Sequence, residues 1–136
     1  MKKIAKLVKV EKNKIIKNPK GNIIKYLSKK DKIYKGFGEV YFSEIKKNII
    51  KGWNLHKKYT CIITVPVGNV EFTVLSNKNT LFRRRIDSKK KIIIPPNNWF
   101  CFKSITKKSI IVNIINGPHS KNETEKKSLI KNIKVF

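Results

Sequence analysis

Short runs in which apolar and polar residues alternate recur along most of the chain, separated by Gly, Pro and Asn. Successive side chains on a strand point to opposite faces, so such runs predict half-buried β-strands. Residues 1–16 set Ile4, Leu7, Val8, Val10, Ile15 and Ile16 among lysines. That pattern fits one edge strand, or two short ones, with charge on the wet face. Asn18-Pro19-Lys20-Gly21-Asn22 predicts a turn, because Pro presets one dihedral and Gly or Asn accepts positive φ. Ile23, Ile24, Tyr26 and Leu27 follow as a short strand or a helical turn, then a charged loop over 28–32.

Residues 39–45 predict a strand with Val40 and Phe42 on one face and Glu39, Tyr41, Ser43 and Ile45 on the other. After Lys46-Lys47-Asn48 the chain is expected to return over 49–57. There Asn54, His56 and Lys58 share one face, and Trp53, Leu55 and Lys57 the other. A hydrophobic strand over 59–67 is expected to end in a hairpin-type turn at Gly68-Asn69. Residues 70–75, the segment of Leu81, Phe82 and Ile86, and residues 92–94, 99–102 and 109–115 supply further strands. Pro95-Pro96 stops one of them, since Pro has no N–H for the ladder. The basic tail is expected to form a short helix from about Glu123 to Lys131. Many short strands with such turns predict an all-β barrel or sandwich, and 136 residues fit a single domain spanning 1–136.

Charge alters the expected partners more than the fold. The net charge of +25 points toward polyanions. Yet Arg occurs only at Arg83, Arg84 and Arg85, so Lys supplies nearly all of the 33 basic residues. Recognition of phosphate and bases favours the planar fork of Arg. The joint abundance of Lys, Ile and Asn also matches an AT-rich coding bias that fills tolerant surface positions with Lys. Nucleic acid is therefore disfavoured as a partner, while small anions such as phosphates remain attracted. Cys61 and Cys101 lie in apolar runs outside any CxxC pair and read as buried free thiols. The lysines of the first fifteen residues interrupt any signal-peptide core, and no run approaches the ~18 apolar residues of a membrane span. A cytoplasmic protein without membrane contact is expected.

Asn54 and His56 suit a barrel mouth, where His can accept a proton near neutral pH and an amide can orient a carbonyl or hydroxyl. A hydrogen-bonded His in a polar rim is the plainer alternative. Too few ligands assemble around His56 for a metal centre, because no His lies two residues before it, no Glu soon after it and no His in 95–102. The three arginines cannot all face one way, so one or two at most would meet an anion. His119, in a Gly-Pro loop, reads as exposed. There is no Gly-rich phosphate loop, GxSxG elbow or zinc-finger spacing.

The ordered segments GEVYFSEI, IKGWNLHKKYT, VPVGNVEF, IIIPPNNWFCFKS and IVNIINGPHSKNETEK resemble the sugar-nucleotide 3,5-epimerases of the cupin fold, dTDP-4-dehydrorhamnose 3,5-epimerase and its relatives. The resemblance runs over residues 14–128. It implies a cupin jelly roll, usually a homodimer, with a cleft for a nucleotide-linked 4-keto-6-deoxy sugar and chemistry without metal or other cofactor. The family's base is a His in a K/R-G-x-H segment, and Lys51-Gly52-Trp53-Asn54 places Asn54 there. His56 completes the related H-x-H pattern, reminiscent of the metal-free sugar 3,4-ketoisomerases. No Tyr stands in Ile110-Ile111-Val112-Asn113, where the family's acid is expected, and Trp99 or Phe100 replaces the His that often follows the Pro-Pro turn.

His56 is thus left as the proton-transfer residue, with Tyr41 or Tyr59 as candidate partner; the resemblance implies Lys51, the basic residue before the Gly, as an anion contact, and Asn54, Lys57, Arg83 and Arg85 are further candidate substrate contacts. The implied activity is a metal-independent epimerase or isomerase in cell-surface polysaccharide synthesis. A non-catalytic sugar-nucleotide-binding relative, an interaction protein on the same scaffold and a basic nucleic-acid-binding protein are the alternatives.

Overall fold

The computed structural model describes residues 7–76, 80–118 and 120–127. Twelve strands form among them: β1 (Lys9–Lys12), β2 (Lys14–Ile16), β3 (Ile23–Lys25), β4 (Glu39–Lys46), β5 (Ile50–His56), β6 (Cys61–Val67), β7 (Val70–Leu75), β8 (Leu81–Ile86), β9 (Lys90–Ile94), β10 (Trp99–Ser104), β11 (Lys108–Ile115) and β12 (Thr124–Lys126). One five-stranded sheet runs β1-β9-β6-β11-β4, a second runs β12-β5-β10-β7-β8, and β2-β3 form a separate pair. The paired strands are antiparallel. Alternation then makes the core. Ile45, Cys61, Ile63, Val65, Ile92, Ile94, Ile111 and Ile115 from the first sheet meet Val70, Phe72, Val74, Ile86, Phe100 and Phe102 from the second. This is the all-β jelly roll expected, with two sheets enclosing one core.

The expected edge strand appears as β1, and Asn18–Asn22 does join a hairpin, β2 to β3. That hairpin is anchored to the outside of the first sheet by the Tyr26 hydroxyl, which donates to the Ile62 carbonyl, and by Lys91, whose Nζ donates to the Tyr26 carbonyl at 2.8 Å. Two predicted hairpins do not form. β4 pairs with β11 and β5 with β10 and β12, so Lys46-Lys47-Asn48 carries the chain from one sheet to the other. Gly68-Asn69 likewise joins β6 of the first sheet to β7 of the second. Positive φ at Asn48 and Gly68 shows that the turn chemistry was as expected. Turn chemistry reverses the chain without choosing which sheet receives it.

The predicted tail helix is replaced, within the described residues, by β12, which pairs with the edge of β5; residues 128–131 and His119 lie outside the described residues. Among those residues no helix is long and apolar enough to cross a membrane.

Both thiols are buried and unpaired. Burial pushes Cys61 and Cys101 up to about 12 from 9.0, with the Asn113 amide opposing the shift at Cys61 and the Arg83 guanidinium opposing it at Cys101. A raised thiol pKa in the folded state gives stability that is fully present below pH 9.0 and is lost as pH climbs toward about 12. Alkaline titration should therefore lower the midpoint of thermal unfolding progressively across that window while the chain stays folded at room temperature, and Cys61→Ala should blunt the decline. Reaction of both thiols with an alkylating reagent in the native state at neutral pH would contradict this prediction.

A candidate proton-transfer site between the two sheets

The walls of the site follow from strand register. Phe100 belongs to the core and lies opposite Asn54, so Asn54 faces inward; His56, two residues on, shares that face and stacks on Phe100 with 6.4 Å between ring centroids. On the first sheet Ile45 and Ile111 are core residues, which turns Ser43, Tyr41 and Asn113 inward as well. His56 and Tyr41 are thus presented from opposing walls.

Lys51 belongs to this face for a reason hidden in the sequence. On regular alternation it would lie with Trp53, away from Asn54. Phe102 pairs with Lys51 and Cys101 with Gly52, but Phe100 pairs with Asn54, so Trp53 is an extra residue and the ladder shifts there. This β-bulge reverses the parity of the strand. Trp53 packs on the outer side with Leu75, Cys101 and Trp99, while Lys51 and Asn54 share the inner side. Lys51 Nζ accordingly donates to Ser43 Oγ on the opposing sheet at 2.8 Å. The bulge needs glycine at position 52, where φ is +121° and an added Cβ would lie 2.7 Å from that of Cys101. An open cleft of about 450 Å3 beside β5 is lined by Lys51, Gly52, Trp53, Asn54, Lys126 and Lys127. Its ammonium groups suit an anion.

His56 is nearly buried, and its Nδ1 lies 2.8 Å from Glu123 Oε2. A carboxylate can only accept, so Nδ1 carries a proton, and in the neutral imidazole the lone pair is on Nε2. The other carboxylate oxygen accepts the backbone N–H groups of Lys58 and Tyr59, each at 3.2 Å. Glu123 itself is 3% exposed and is brought here by β12, whose entry is fixed by Lys57 N–H donating to the Glu123 carbonyl at 2.8 Å. Sequence reasoning missed Glu123. Its signal was faint: one of only 8 acidic residues in a strongly basic chain, set in a polar stretch with no apolar alternation.

Tyr41 is 38% exposed, and its hydroxyl accepts a hydrogen bond from Asn113 Nδ2 at 2.9 Å. Burial raises its pKa above 10.0, with the Asn113 amide opposing the shift. It remains a proton donor at neutral pH.

The remaining predicted residues stand elsewhere. Lys57 alternates away from His56 and pairs with Glu125 at 3.4 Å on the other face. Tyr59 packs its ring on Gly117, where any Cβ would overlap it, and on the core. Arg83 and Arg85 lie opposite Thr73 and Glu71 on the outer face of the second sheet, Arg85 Nε at 3.7 Å from Glu71. Arg84 is the arginine on the inner face, opposite Phe72, with its guanidinium 5.1 Å from the Phe82 ring centroid. Among the described residues no three His, Cys, Asp or Glu side chains gather where a metal could be held.

No family model matches the sequence, and no curated protein does. Solved structures do. The chain is similar to a dTDP-sugar isomerase from Desulfovibrio desulfuricans G20, with 23% identity over 91% of this chain and 85% of that one and a TM-score of 0.85. A sugar 3,4-ketoisomerase from Thermoanaerobacterium thermosaccharolyticum, in complex with TDP-4-keto-6-deoxyglucose, shares 18% identity over 87% and 86% of the two chains, at a TM-score of 0.78. A dTDP-4-dehydrorhamnose 3,5-epimerase from Sulfolobus tokodaii shares 17% over 93% and 82%, at 0.79. At such identities the likeness speaks for architecture: the chain has the cupin jelly roll found in sugar-nucleotide epimerases and ketoisomerases.

Proposed function

We propose that the chain is an epimerase or isomerase of a nucleotide-linked 4-keto-6-deoxy sugar, working through its own side chains in the synthesis of cell-surface polysaccharide. The observation that carries the reading is the buried His56–Glu123 pair, which leaves Nε2 of His56 as a base on one wall while Tyr41 stands on the other. The structural neighbours that handle such sugars support it.

A C–H bond beside a ketone is acidic because its electron pair can move onto the carbonyl oxygen. His56 Nε2 takes that proton and becomes imidazolium, which the Glu123 carboxylate stabilises, as a buried acid does in other hydrogen-bonded base pairs. The enolate then regains a proton on carbon from Tyr41. Delivery to the opposite face of the same carbon inverts it; delivery to the former carbonyl carbon, with the neighbouring hydroxyl's proton passing to the old carbonyl oxygen, moves the ketone. Lys51 and Lys126, on the side of Asn54, would receive the diphosphate, and Asn54 would hydrogen-bond the sugar. Lys57, Arg83 and Arg85 are too far round the sheet for that role.

Incubation with dTDP-4-keto-6-deoxyglucose and related sugars in heavy water, followed by NMR, tests this. Deuterium should enter beside the ketone. No exchange and no carbonyl movement with any candidate would overturn the enzyme reading. Stabilisation by dTDP alone in that case would select the non-catalytic binding reading, which Asn54 favours by standing where the family's base is expected.

A homodimer is part of the same proposal. It is supported by Val40 and Phe42, exposed on the outer side of the eight-residue edge strand β4. Sedimentation should give twice the 15.9 kDa of one chain, and Phe42→Asp should release monomers without unfolding them. A wild-type monomer would remove the dimer.

A further inference from the structure

We propose that Asn113 is a positioning residue that aims the hydroxyl proton of Tyr41 away from β11 and toward a bound substrate. The inference rests on the proposed reaction and deepens it. Tyr41 and Asn113 are direct partners on β4 and β11, both on the inner face. The amide nitrogen of Asn can only donate, so the 2.9 Å contact makes the phenol oxygen the acceptor. The hydroxyl's own proton must then point elsewhere, and Tyr41 is exposed enough for a ligand to meet it. Once that proton has moved to carbon, the phenolate left behind keeps the amide N–H as a stabilising donor. Reprotonation of Tyr41 and release of the proton held by His56, both through solvent, restore the starting state.

The cost of this Asn argues for a role. Asn113 is fully buried, and its Oδ1 has no hydrogen-bond partner. Its neighbours on the inner face of β11 are Ile111 and Ile115, both core residues. An apolar residue would pack there without an orphaned acceptor. Asp would be worse still for the reaction, because a carboxylate would accept the phenol proton and turn it away from substrate. A buried amide is the choice that orients the hydroxyl outward.

Two variants, Asn113→Leu and Asn113→Asp, test the proposal, the second being close to isosteric should the first fail to fold. Ultraviolet titration, with Tyr41→Phe as the reference, should show Tyr41 ionising at higher pH in either variant, since the donor to the phenolate is gone. In heavy water with the 4-keto sugar, formation of rearranged product should fall by about 10- to 100-fold, a part of the full general-acid contribution. Deuterium exchange initiated by His56 should persist. An unmoved Tyr41 titration overturns the proposal whatever the activity, and so does equal loss of exchange and product. A wild-type chain that exchanges nothing instead defeats the parent reaction, and the proposal with it, even if the titration shifts.

Discussion

Replacing His56 with Gln should slow deuterium entry beside the ketone by about 100- to 10,000-fold, the range that a positioned general base contributes. Gln can donate its amide to Glu123 much as Nδ1–H does at 2.8 Å, so the barrel should survive the change. What is removed is the lone pair of Nε2. Asn54 cannot compensate, because an amide does not accept a proton at neutral pH. The measurement is the NMR exchange rate at matched folded concentration. A rate within about threefold of wild type would place the base elsewhere, since a lost general base is worth far more than that.

Glu123→Ala should be the most damaging single substitution for stability. The carboxylate accepts from His56 and from the backbone N–H groups of Lys58 and Tyr59 in an almost fully buried position. Losing it strands three donors at once, at a cost of about 3–5 kcal/mol. At about 4 °C per kcal/mol for a chain of this size, the midpoint of thermal unfolding should drop by roughly 12–20 °C. Glu123→Gln separates the roles. Its amide oxygen can still take the two backbone donors, so most of the stability should remain. Its amide nitrogen would face Nδ1 and favour the tautomer with the proton on Nε2, which cannot act as a base. Exchange should then fall by at least about tenfold with the fold intact; an unchanged rate in Glu123→Gln would show that the pair is structural.

How much of this could be read beforehand depended on the range of the interaction. Alternation is local, and it placed Tyr41 with Ser43 and Ile45 and assigned most strands. Pro95 ended β9 for a local reason too. Which sheet a strand joins is not local. Lys46-Lys47-Asn48 has the chemistry of a turn and makes one, yet β4 and β5 part company, β4 pairing with β11 in one sheet and β5 with β10 and β12 in the other. Lys51 was named as an anion contact, but alternation alone would not have put it beside Asn54: a single extra residue at Trp53 inverts the parity, and nothing in a run of side chains announces a bulge. The two candidate acids stand differently: Tyr41 reaches the inner wall, whereas Tyr59 is held against Gly117. Glu123 was invisible because β12 has no alternation of its own and owes its conformation to the open edge of β5, a case of tertiary context overriding propensity.

β12 has three residues, sits at the edge of its sheet and leans on β5 alone. Elements of that kind open locally at much less cost than the whole domain. Trp53 and Lys127 exchange backbone hydrogen bonds at 2.8 and 3.0 Å and Lys57 donates to the Glu123 carbonyl; these and the three bonds to the Glu123 carboxylate must break for the strand to lift. When it lifts it takes Glu123 with it. On the proposed reaction, warming should therefore lower exchange beside the ketone reversibly before the barrel melts, and the amides of Trp53, Lys57 and Lys127 should exchange with solvent ahead of those in β6 and β10. Temperature, acting on one short strand, would then set the fraction of molecules ready to move a proton.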